Sequence, residues 1–199
     1  MTDRSISRAI CVLGGPIHND WTVSYGVDAS LRHGSIQQIK RLENHHYSFS
    51  EVFYWHSKGP SLSEKSTLSE IGQFATSITG TLLNLELGPV LIEFDPRSVY
   101  WRSGKLQIVT MAVFLGYLVG FLHSVGYPAL SVSPRESRQF YGFTQGKKEE
   151  FHNHFLNLAT HCTFTPNLSP DLIGSDQLDA LLVGLMLWPD DWRQFVGEI

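Results

Sequence analysis

Three carboxylates in this chain have the types and spacing to do chemistry together. Glu93 closes the run Val90-Leu91-Ile92-Glu93 and is followed within three residues by Pro96. Three apolar residues of this kind read as a strand buried on both faces, and open α/β sheets bind their ligands at the carboxyl ends of such strands. Asp176 and Asp179 stand three apart at the head of a stretch whose other members are almost all apolar, Leu178, Ala180 to Val183, Leu185 and Met186. At helical spacing the two acids share one face. A helix apolar nearly all round is buried, so two acids at its start need a reason. One reason is the helix dipole, which favours acids in the first turn. The other is a divalent cation. Mg²⁺ takes hard oxygen ligands and keeps several waters, and Glu93 with Asp176 and Asp179 would supply such a site.

The elements that must position these residues follow from periodicity and turn chemistry. Ala9–Leu13, Trp21–Val27 and Ile36–Leu42 read as an antiparallel meander of three short strands, with Gly14-Gly15-Pro16 and His18-Asn19-Asp20 as turns. The aromatic, Pro/Gly-punctuated stretch 45–63 reads as a loop or insertion. His45, His46 and His56 within it match no standard metal-ligand spacing. Apolar residues at helical spacing run through 63–87, with Ser66 or Ser69 as the cap, until Gly88-Pro89 breaks the chain into the Val90 strand. Leu106–Val125 reads as a buried helix, too short and interrupted for a membrane span, with Gly116 and Gly120 on one face and Gly126 as its C-cap. Ala129–Val132 is a further core strand, Glu149–Ala159 a helix, and 176–187 the last helix, before a polar tail at 188–199. The order is β-β-β-α-β-α-β-α-α. That is the layout of an α/β protein with a mixed sheet, three antiparallel strands then two further strands, flanked by helices, in a single domain spanning 1–199.

Composition bounds the function. At 199 residues, 42% hydrophobic and 17% charged, the chain can build a sizeable core. Two cysteines, Cys11 and Cys162, make no disulfide framework and suit a reducing compartment, and the polar N-terminus shows no signal peptide. No P-loop or GxGxxG motif is present. The net charge is −4, yet it is unevenly spread. Between positions 97 and 148 there are seven cations and one acid, a charge of +6, so the remainder carries −10. Arg97, Tyr100, Trp101, Arg102 and Lys105 interleave aromatics with cations, a mixture suited to stacking on bases and pairing with phosphates.

Taken in order, these features resemble the RuvC-type Holliday-junction resolvases, including their poxviral relatives, within the ribonuclease H-like superfamily. The resemblance rests on VLIE at 90–93, the long apolar helix, ALSVSP at 129–134, Arg138 four residues after Pro134, YG at 141–142 ahead of Lys147-Lys148, and SDQLDALLVGL at 175–185. It implies a ribonuclease H-like sheet and a metal-dependent, structure-selective endodeoxyribonuclease acting on four-way DNA junctions in recombination and repair. It further implies Mg²⁺ as cofactor, with Mn²⁺ as substitute, held by Glu93, Asp176 and Asp179. Lys148 is then expected beside the scissile phosphate, and Arg97, Arg102, Arg138 and Lys147 on the DNA backbone. Members of the family act as homodimers.

One departure stands out. The family's first acid ends its first strand, and here the Ala9–Leu13 strand runs into Gly14. Asp20 in the next turn could replace the missing acid. Otherwise the chain is an inactivated nuclease, or a protein that binds branched nucleic acid or a recombination partner without cutting it.

Overall fold

The computed structural model describes residues 20–94 and 105–196. Six strands form one mixed sheet: β1 Val23–Ala29, β2 Gly34–Arg41, β3 His46–Trp55, β4 Val90–Glu93, β5 Ala129–Val132 and β6 Thr163–Thr165. Their order across the sheet is β5-β4-β1-β2-β3-β6. β1, β2 and β3 are an antiparallel meander, β4 and β5 add parallel to β1, and β6 adds parallel to β3. Helices α1 Leu68–Leu82 and α2 Lys105–Ser124 cover one face. The other face carries α5 Ser175–Leu185, with α4 Lys148–Ala159 and α6 Pro189–Val196 outside it and the short α3 Pro134–Phe140 following β5.

The meander is real but lies one strand further along the chain than expected. The predicted strand at 9–13 is outside the described residues. The predicted strand at 21–27 is β1, the predicted strand at 36–42 is β2, and the third member is β3, which occupies ten residues of the stretch expected as an insertion loop. The loop expectation fails because a bulge hides the alternation of β3. Register shifts by one residue opposite Ile36 and Gln37. Tyr47 and Phe49 therefore point into the α5 side of the sheet, whereas Phe53 and Trp55 point to the α1 side.

β1 is buried along almost its whole length, and its two faces are chemically different. Tyr25, Val27 and Ala29 pack with Ile71, Phe74, Ile78 and Leu82 of α1 and Phe114 of α2. Ser24, Gly26 and Asp28 alternate to the other side. There the small residues let α5 lie directly on the sheet. A Cβ on Gly26 would fall 1.7 Å from the Ala180 carbonyl oxygen, and one on Gly184 would meet Gly26 nitrogen at 2.9 Å. Ser24 Oγ donates to Gly184 O at 2.8 Å. α5 thus runs antiparallel to β1. Four strand residues and eight helix residues both span about 12–13 Å, so the start of α5 comes to rest over Asp28.

Two further segments differ from expectation. The tail at 188–199 contains α6, whose Trp192 is buried against Tyr47, Tyr141 and Phe155. Its Asp191 accepts from Arg41 at 2.6 Å and from the Tyr47 hydroxyl. The helix expected to be buried at 106–125 is α2, and only a third of it is covered. Its inner face packs on α1 and β5, while Leu106, Val109, Gly116, Tyr117 and Gly120 face outward. By length and composition alone it could cross a membrane. The caps of α1, α3 and α5 are Thr67, Ser133 and Gly174; the predicted Ser66 and Ser69 do not serve.

Candidate metal centre

Asp28 is the residue that the sequence left unassigned. It is the last residue but one of β1 and the register partner of Glu93 at the end of β4. Directly paired residues on parallel strands project to the same face, here the α5 side. Asp176 and Asp179, in the first turn and a half of α5, come down onto the same spot. Asp28, Asp176 and Asp179 each offer a carboxylate oxygen, and these atoms lie within 4.8 Å of one another. Glu93 stands beside this trio, close enough for its ionisation to feel Asp179 and Asp28. The four acids sit at the carboxyl ends of two adjacent parallel strands, as the position of Glu93 suggested.

The expectation that the first acid is missing at Gly14 is thereby recast. Gly14 lies outside the described residues, and β1, which pairs with β4 on the side of the meander, carries an acid as its last residue but one. Asp20 does not replace it. It precedes β1 at the opposite end of the strand from Asp28, exposed in a turn, roughly 25 Å away along an extended chain.

The acids are costly to assemble without a cation. Burial, and then the charge of Asp179, push Asp28 up to about 7. Burial, then Asp179 and Asp28, push Glu93 up to about 8. Two cationic groups reduce this repulsion. Lys148 at the start of α4 forms an ion pair with Asp179 Oδ2. Burial works against the lysine charge, but Asp179, Asp28 and Asp176 together outweigh it and hold the ammonium above its ordinary value. Arg138, in the last turn of α3, lies over the Phe151 ring at 5.7 Å and lowers the cost of ionising Glu93. His152, one turn after Lys148, places Nε2 2.7 Å from Asp179 Oδ1.

Local sequence explains these placements. Ser133-Pro134-Arg135-Glu136 is a capping box with Pro at the first helical position. Ser133 N–H donates to Glu136 at 2.8 Å and Glu136 N–H to Ser133 Oγ at 3.2 Å. It starts α3 and so carries Arg138 toward the acids. Gln177 accepts from Gly174 N–H at 2.7 Å and donates to Glu51 of β3, which ties the α5 start to the sheet. Lys147 and Lys148 open α4, whose Phe151, Phe155 and Ala159 are buried.

Of the residues predicted for the site, Asp176, Asp179, Glu93, Lys148 and Arg138 gather at this end of the sheet, and Lys147 is exposed at the helix start beside them. Arg97 and Arg102 are outside the described residues, as are Tyr100 and Trp101. Sequence reasoning missed Asp28 and His152. The signal for Asp28 was alternation, Ser24, Gly26 and Asp28 against Tyr25, Val27 and Ala29; the signal for His152 was its i+4 spacing from Lys148.

Four carboxylates of which three converge within 4.8 Å suit a hard divalent cation, an all-oxygen donor set with open positions for water. Glu93 and Asp176 would hold it alongside Asp28 and Asp179.

The sequence matches no protein-family profile and no curated protein. Solved structures do match. Thermus thermophilus RuvC in complex with a Holliday junction substrate aligns with TM-score 0.62 at 15% identity, over 83% of this chain and 92% of that one. A second Thermus thermophilus RuvC structure gives 0.56 at 14%, over 83% and 94%. The yeast mitochondrial Holliday junction resolvase Ydc2 gives 0.63 at 14%, over 97% and 90%. At such identities the likeness is one of fold, and the chain has the ribonuclease H-like fold of the RuvC-type resolvases.

Proposed function

We propose that this protein is a metal-dependent, structure-selective endodeoxyribonuclease that resolves four-way DNA junctions by phosphodiester hydrolysis. The observation that carries the reading is the convergence of Asp28, Asp176 and Asp179 beside Glu93. Bound Mg²⁺, or Mn²⁺ in its place, would supply Lewis-acid polarisation of the phosphate and activation of the attacking water. The chain's own groups do the rest. Asp28, Asp176, Asp179 and Glu93 would hold the cation. Lys148 is tethered to Asp179 by one flexible, half-exposed side chain, so its ammonium can turn to a phosphate and offset developing negative charge. Arg138 and Lys147 border the same end of the sheet and serve as backbone contacts, with Arg97 and Arg102 extending the basic segment.

Asp28 weighs against the alternative of a binding protein that has lost catalysis. That alternative rested on the net acidity and on a missing first acid, and an acid stands in register with Glu93. Homodimerisation is part of the proposal, since two sites are needed to cut two symmetric strands. The uncovered apolar face of α2, with Gly116 and Gly120 open to close approach, supports it.

The test is cleavage of a synthetic four-way junction with Mg²⁺, compared with linear duplex. Wild-type protein is expected to cut the junction selectively, and Asp176→Asn and Glu93→Gln to bind it without cutting. Wild-type protein that binds the junction in Mg²⁺ or Mn²⁺ but never cuts it would restore the binding-protein reading.

A further inference from the structure

Asp179 is the most buried of the four acids at this site, and both of its oxygens are claimed by protein groups. Both claimants come from α4 and stand four residues apart, so they share one helix face. They are not equivalent. The Lys148 side chain is 47% exposed, while that of His152 is 13% exposed. A long half-exposed ammonium can swing away and be replaced by another cation. A short imidazole that is largely covered and packed beside the Phe151 ring cannot. With Lys148 on the other oxygen of the same carboxylate, the ring nitrogen 2.7 Å from Oδ1 is placed to donate to it.

We propose that His152 is a positioning residue of the acidic site: its Nε2–H fixes the rotation of the Asp179 carboxylate relative to Asp28 and Asp176, and so sets the affinity of the site for a divalent cation. The proposal rests on the cation-site reading above. It assigns His152 to the layer behind the ligands, neither on the metal nor on the phosphate. Hydrogen bonds of this kind to ligating carboxylates typically change metal affinity about 10- to 100-fold when removed.

The test compares His152→Gln, which keeps a side-chain N–H donor at similar reach, with His152→Leu, which keeps the volume and loses the donor. The probe is Mn²⁺ alone, titrated into metal-free protein without DNA and followed by calorimetry and by the rise in melting temperature. His152→Leu is expected to need at least about tenfold more Mn²⁺ than wild type for half-saturation. His152→Gln is expected to lie within a few-fold of wild type. Equal Mn²⁺ affinity for Leu, Gln and wild type overturns the proposal and leaves the cation site standing. Loss of binding by both variants also overturns it, because His152 would then be a ligand itself. Failure of wild-type protein to bind Mn²⁺ at all overturns the cation-site reading instead. Should His152→Leu not fold, His152→Gln against His152→Ser supplies the same comparison.

Discussion

Asp28 and Glu93 are register partners on adjacent parallel strands, β1 and β4, and both project toward the start of α5. Neither acid is placed by a loop. Asp28 is the last residue but one of β1 and Glu93 the last of β4, both strands are buried, and the pair stays aligned as long as the sheet does. A site built on rigid elements holds its geometry better than one built on loops. Here the helix that completes it is itself docked by backbone contact, Gly26 against Ala180 and Gly184.

The first prediction concerns which residue is the first acid. Asp28→Asn removes a ligand charge while keeping the side chain's shape. It is expected to lower Mg²⁺-dependent junction cleavage by about a hundredfold or more, with junction binding in a mobility-shift assay retained. Asp20→Asn and Gly14→Asp are expected to leave cleavage unchanged. A large gain from Gly14→Asp would return the first ligand to that position.

The second concerns pH. Carboxyl groups raised in the folded state stabilise it below their ordinary values near 4 and lose that contribution as pH climbs through their folded values. For Asp28 and Glu93 those values are about 7 and about 8. Metal-free protein in chelator is therefore expected to melt at progressively lower temperature as pH rises from 5 to 8.5. Added Mg²⁺ should restore stability most at the alkaline end. Asp28→Asn should flatten the slope, and a melting temperature independent of pH over this range would contradict the assignment.

Much of this arrangement was legible in the sequence because the relevant segments are locally consistent. VLIE, ALSV and the start of α5 each combine an apolar run with clear punctuation, and all three formed where expected. What escaped was tertiary. Asp28 sits in a strand whose inner face, Ser24 and Gly26, is too small and polar to look like core. It is core only because a helix backbone, not a side chain, fills the space. β3 escaped because its bulge breaks the alternation of aromatics. α3 escaped although its Ser-Pro-x-Glu capping box was readable. The Arg41–Asp191 pair joins residues 150 apart, a distance no periodicity spans.

The third prediction tests that backbone contact. Gly26→Ala places a methyl carbon against the Ala180 carbonyl, backbone on both sides, with no flexible group to yield. A cost of about 3 kcal/mol or more is expected in denaturant unfolding, together with loss of cleavage as α5 lifts from Asp28. Gly80→Ala serves as the contrast. It lies inside α1 with nothing within 4 Å of the added carbon, and should stabilise by about 0.5–1 kcal/mol. Equal effects of the two would mean that the backbone contact at Gly26 does not govern its response to an added methyl.

The fourth concerns α2. Val109 and Tyr117 are 57% and 48% exposed on a largely apolar helix, and Gly116 and Gly120 have nothing within 4 Å of an added Cβ. Water is a poor neighbour for such a face, and small residues four apart let a second helix approach closely. A homodimer built on this face hides Val109 and places two acidic sites in one particle. Sedimentation should then give about twice the 22.4 kDa chain mass for wild type. Val109→Glu would put two like charges opposite each other in the interface, and should return the protein to a monomer with its fold and Mn²⁺ binding intact. Such a monomer should nick junctions on one strand without making the paired cut, because each active site then acts alone. A Val109→Glu protein that remains dimeric and still cuts both strands would place the interface elsewhere.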